Sequence, residues 1–124
     1  MNNIRAELVK AIQANLTQIH WKPGSAVRHL LKRRLRGHLL PEAGLEDYEQ
    51  IIRIVLTDPQ AQVYVYVHET IPYGVVVAVI DSRHWLVMFA LDGVLETAFI
   101  VEHPASYLNK SAFQLIGRLS EVMP

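Results

Sequence analysis

Apolar residues recur every three or four positions in the first half of the chain, then switch to alternating and unbroken runs in the second. Ile4, Leu8, Ile12, Leu16 and Ile19 fall on one face of a helix. "KPGS" at 22–25 interrupts that period with Pro23 and Gly24. Ser25 is placed to cap a second helix of about a dozen residues, which Gly37 can stop. Its expected buried stripe is Val27, Leu30, Leu31 and Leu35. Arg28, Lys32 and Arg36 form an outer stripe, with His29 and Arg33 beside it. The loop "HLLPEAG" leads to a third helix from about Leu45 to Leu56, with Tyr48, Ile51, Ile52 and Val55 as its apolar face.

After "TDPQ" the pattern becomes that of strands. "AQVYVYVH", "GVVVAVI", "HWLVMFAL" and "VLETAFIV" are rich in β-branched and aromatic residues. Asp92-Gly93 is a hairpin signal, since glycine tolerates the positive φ of a tight turn. In the first strand Val63, Val65 and Val67 alternate with Tyr64, Tyr66 and His68, giving one apolar and one aromatic face. The second and third are apolar on both faces, so both faces must be covered, by the chain itself or by another copy. "SAFQLIGRLSEVMP" reads as a last helix, with Ser111 and Gln114 as a capping box. The expected architecture is one α+β domain over residues 1–124: N-terminal helices, a four-stranded antiparallel β-meander and a C-terminal helix.

Charge changes the picture more than composition does. Twelve Lys/Arg balance twelve Asp/Glu, yet residues 1–41 carry eight cations and one acid, and residues 42–124 four cations and eleven acids. "RHLLKRRLRGH", residues 28–38, holds five Lys/Arg and two histidines without an acid. Such asymmetry suggests an anionic partner, or pairing of the basic part with the chain's own acids, Glu42, Glu46 and Glu49 being nearest in sequence. The chain lacks cysteine, so it has no disulfide framework and no thiolate chemistry. "MNNIRAELVK" carries charges through its apolar pattern, unlike a signal peptide, and charged residues interrupt every apolar stretch before about 18 positions. No membrane partner and a cytoplasmic location are therefore expected. Glycine-rich nucleotide loops, HExxH and GxSxG are all absent, and the six histidines are scattered, so no cofactor or metal is expected.

Two segments carry a resemblance. "GHLLPEAGLEDYEQIIRIVLTDPQAQVYVY" has a histidine, a proline-containing loop, an L-x-D-Y helix start and a helix ending in "DP" before a strand. "GVVVAVIDSRHWLVMFALDGVLETAFIV" adds hairpin strands, the last carrying a threonine shortly before a phenylalanine. This order, over roughly residues 25–101, resembles the phage and bacterial members of the barnase–EndoU–colicin–RelE superfamily of small RNases. The resemblance implies metal-independent RNA cleavage of the toxin type, with His38 and Thr97 matching the histidine before the loop and the Ser/Thr of the last strand. Arg33, Arg34 and Arg36 fall where such domains carry basic residues. Glu96 beside Thr97, and the neutral total charge, depart from the pattern.

The chemistry of these residues fits that activity. Without a metal, the 2′-hydroxyl attacks phosphorus once a base takes its proton, an acid protonates the leaving 5′-oxygen, and cations stabilise the added charge. The expected catalytic residues are His38, Thr97 and Arg36. Arg28, Lys32, Arg33 and Arg34 are expected to hold phosphates, and Tyr64 and Tyr66 to stack on bases. RNA is the expected partner, with a neutralising protein as a further one. The competing expectation is a non-catalytic homodimeric interaction module, motivated by the apolar content of the strands.

Overall fold

A computed structural model describes residues 2–124. Helix α1 (Asn2–Thr17), α2 (Ala26–Leu35) and α3 (Leu45–Thr57) come first. Strands β1 (Gln62–His68), β2 (Ile71–Ile80), β3 (Arg83–Ala90) and β4 (Leu95–Val101) follow as an antiparallel meander. A short helix α4 (Pro104–Tyr107), a fifth strand β5 (Phe113–Arg118) and a last helical turn α5 (Leu119–Val122) complete the chain. The sheet order is β4-β3-β2-β1-β5.

The helix expected over residues 111–124 is therefore a strand and one turn, and the sheet has five strands rather than four. β5 pairs antiparallel with β1, Tyr66 opposite Phe113 and Tyr64 opposite Leu115, and Ile116 is the extra residue of a bulge. Phe113 packs on Tyr64 and Tyr66, at ring-centroid distances of 6.0 and 4.6 Å. Local propensity lost to that pairing, as it does where a neighbouring strand offers both hydrogen bonds and an aromatic face.

Alternation along the strands divides the core in two. Val63, Val65, Val76, Trp85, Val87 and Phe89 face the helices, against Leu8, Ile12, Tyr48, Ile52 and Val55. Tyr64, Val75, Val77, Leu86 and Phe113 face the other way. From β4 to β5 the chain must cross four inter-strand spacings, about 19 Å, and this crossover lays Tyr107 and Leu108 over the second face. The doubly apolar β2 and β3, which suggested an interface between copies, are thus covered by the chain's own helices on one side and its own crossover on the other. Gly74 on β2 is fixed by space: a Cβ there would lie 2.7 Å from Leu8 Cδ2 and 2.5 Å from Phe89 Cζ.

The second helix is turned from its expected orientation. Leu30 and Arg33 are buried, whereas Val27, Leu31 and Leu35 are exposed. Ser25 begins the helix but donates its hydroxyl proton to the Lys22 carbonyl instead of capping.

Candidate functional site

α2 lies along β4, the edge strand, and an uncovered edge would present unpaired backbone groups. Side chains and a loop close this one. The segment before α2 adds a parallel bridge between Trp21 and Leu95, with Leu95 N–H donating to the His20 carbonyl and Lys22 N–H to the Leu95 carbonyl. Further along, Tyr48 Oη donates to the Ala98 carbonyl at 2.5 Å, and Ile100 N–H donates to His38 Nδ1 at 3.2 Å. Burial raises the Tyr48 pKa to about 12, so it keeps the proton it donates.

This arrangement defines the state of His38. Its Nδ1 accepts from Ile100 N–H and also from Arg33 Nη1 at 3.2 Å. The proton of the neutral ring therefore sits on Nε2, which points toward Glu102 Oε2 at 3.6 Å. Burial first, then the Arg33 charge, lower the His38 pKa, while Glu102 opposes them. In this state His38 is a donor through Nε2, and its other nitrogen is committed to the strand edge.

Thr97 sits on the same strand, and its Oγ1 lies 3.4 Å from His29 Nδ1. The His29 ring stacks on Trp21 at 6.2 Å. Burial and the neighbouring Arg28, Arg33 and Lys32 charges lower its pKa, so it too is a neutral imidazole. His38 and Thr97 thus occupy one edge, three residues apart along β4, or about 10 Å. Glu96, the acid beside Thr97, faces Lys22 Nζ at 3.8 Å.

Arg33 is the least ordinary member. It is 3 % exposed, stands with its guanidinium carbon 5.6 Å from the Phe99 ring centroid, and its Nε has no hydrogen-bond partner. Among the described residues, none of Arg28, Lys32, Arg33, Arg34 and Arg36 has a carboxylate within salt-bridge distance. Glu49, one of the acids that could have answered them, instead accepts from Trp21 Nε1 at 2.7 Å and lies 3.9 Å from Arg53. The charge of α2 is not consumed within the described fold.

Beside Arg33 an open groove of about 370 Å³ is lined by Arg36, Phe99, Glu102, His103, Tyr107 and Lys110. Lys110 Nζ stands 4.6 Å from the Tyr107 ring centroid. Arg36, just past the end of α2, is therefore a groove residue, and Arg28 and Lys32 lie exposed on α2. Arg34 is half-buried with an unpartnered Nε.

Tyr64 and Tyr66 are not brought to this edge. They lie on β1, three strands and about 14 Å away, and Tyr64 is buried, donating its hydroxyl proton to Gln62 Oε1 at 2.8 Å. The aromatic rings near the cations are Phe99 and Tyr107 instead. His29, Tyr107 and Lys110 are the residues that the sequence did not single out. His29 could have been suspected from its place within the basic stripe, whereas Tyr107 and Lys110 reach the groove only through the crossover.

No protein-family model matches the chain, and no curated protein or solved structure is significantly similar to it.

Proposed function

We propose that the chain is a metal-independent endoribonuclease of the toxin type, related to the barnase–EndoU–colicin–RelE superfamily, that works at the α2–β4 edge. The observation that carries this reading is the set of four α2 cations and Arg36 just beyond them, with no carboxylate within salt-bridge distance among the described residues, next to two neutral histidines at one strand edge. Phosphate oxygens are what an array of unpaired guanidinium groups recognises best. Arg36, at the groove, and Arg33, behind it, stabilise charge developing on phosphorus. Arg28, Lys32 and Arg34 hold the flanking backbone.

In the cleavage, the 2′-oxygen forms a bond to phosphorus and the bond to the 5′-oxygen breaks, leaving a 2′,3′-cyclic phosphate. His29, neutral and beside Thr97, takes the 2′-hydroxyl proton. Thr97 donates a hydrogen bond to one phosphate oxygen and His38 Nε2–H to another once Glu102 moves aside, while water protonates the leaving 5′-oxygen and the His29 imidazolium returns its proton to the solvent. The test is incubation of total RNA and tRNA in EDTA with the wild type, His38→Gln and Arg36→Gln. Cleavage by the wild type and loss in both variants supports the reading. A folded wild type that leaves both RNAs intact overturns it.

A non-catalytic interaction module is the second reading. It is favoured by one observation, the commitment of His38 Nδ1 to Ile100 N–H and Arg33, which gives that histidine a structural task independent of any substrate.

A further inference from the structure

The outward face of α2 carries a feature that RNA binding does not use. Val27, Leu31 and Leu35, four residues apart, are 60 %, 53 % and 87 % exposed, and Leu40 just beyond the helix is 67 % exposed. At about 100° per residue, the three helical side chains span an arc of only about 80°. Cations border that arc on both sides, Arg34 on one and Arg28, Lys32 and Arg36 on the other. Those cations have no carboxylate within salt-bridge distance among the described residues.

From this we infer that the α2 stripe is a docking seam for an amphipathic helix with acidic flanks, supplied by a partner protein. A narrow apolar line with charges on its borders is the pattern of a helix–helix seam, in which the apolar line interdigitates and the flanking charges choose the partner. Charge complementarity selects this occupant over the others. A second copy of the chain, paired through the same stripe, would set cations against cations. RNA offers phosphates to the arginines but nothing to the leucines. A bilayer surface binds in proportion to the apolar area buried, and three side chains on a ten-residue helix offer little of it. α2 has 10 residues, about 15 Å of helix, so the partner engages over roughly three turns.

The test uses the full chain and a synthetic helical peptide with leucines at heptad a and d positions and glutamates at e and g, followed by fluorescence anisotropy. The expected result is micromolar binding by the wild type. The double variant Leu31→Ser, Leu35→Ser is expected to weaken it at least tenfold while keeping the wild-type circular dichroism spectrum, since both side chains are exposed. A second variant, Arg28→Glu with Lys32→Glu, is expected to lose the glutamate peptide and gain one with lysines in those positions. The inference is overturned if the wild type does not bind the glutamate peptide, or if it binds as well without the two leucines. It is equally overturned if the leucine variant instead abolishes self-association in light scattering, or abolishes sedimentation with phosphatidylglycerol vesicles.

Discussion

Arg33→Met separates the function proposed for the buried arginine from a purely structural role. Burying a cation away from water costs several kcal/mol even after relaxation, and a carboxylate normally offsets that cost. Here the compensation is one hydrogen bond to His38 Nδ1, worth about 1.5–3 kcal/mol, and the Phe99 ring, worth about 2 kcal/mol when desolvated. Nε, buried and unpartnered, subtracts about 1–3 kcal/mol. The balance lies near zero or is unfavourable. Methionine keeps much of the length, packs its sulfur on Phe99, and leaves no orphan behind, because His38 Nδ1 still accepts from Ile100 N–H. Arg33→Met is therefore expected to be between neutral and about 3 kcal/mol more stable, raising Tm by up to about 10 °C, while RNA cleavage falls at least tenfold. With the Arg33 charge gone, the His38 pKa should rise, which NMR titration of the ring reads directly. Chemical denaturation with a companion cleavage assay decides the matter. A loss of more than about 2 kcal/mol would show that the guanidinium supports the fold, and a stabilised variant with full activity would remove it from the site.

Other outcomes follow from the same packing. His29 and His38 both bind protons less readily in the fold than in the unfolded chain, whose histidines titrate near 6.5. The unfolded state therefore holds more protons below that value, so stability should be full above about pH 6.5 and fall as the pH drops from there toward 5, as thermal melts across that range would record. Tyr48→Phe removes the donor to the Ala98 carbonyl on the β4 edge and should cost about 1–3 kcal/mol in urea unfolding. Gly74→Ala forces a methyl group against Leu8 and Phe89 and should cost about 1–3 kcal/mol, read the same way. Thr70, at φ 70° in the β1–β2 turn, is a β-branched residue in the left-handed region, and Thr70→Gly should raise Tm by a few degrees, about 1 kcal/mol.

The helix-then-sheet order was legible because its periods are strong. The Ile4–Leu16 face, the third helix with Tyr48, Ile52 and Val55, and the hairpin at Gly93 with φ 99° all appear where their patterns put them, while Ile19 is buried beyond the end of α1 at Thr17. The fifth strand was not legible, because "FQLIGR" becomes a strand only through its partner β1 and the aromatic contacts of Phe113. The orientation of α2 was hidden for a related reason. Leucines outvote an arginine in any hydropathy count, and only the tertiary contacts with His38 and Phe99 hold Arg33 inside. Of the residues read as a site, Arg33, Arg36, His38 and Thr97 lie along the β4 edge and its groove, since sequence proximity and one strand edge bring them together, whereas Arg28, Lys32 and Arg34 border the outward face of the helix. The tyrosines of β1 do not, because sheet order cannot be read from a strand's own residues.

Cleavage of one end-labelled RNA in EDTA, by the wild type and Arg36→Gln side by side with the product ends analysed, decides whether the α2–β4 edge cleaves RNA. Arg36 is exposed and lines the groove, so its replacement leaves the fold intact. Wild-type products should end in 2′,3′-cyclic phosphate, and the variant should react at least tenfold more slowly. Intact RNA with folded wild type, or equal rates in the two proteins, would contradict it.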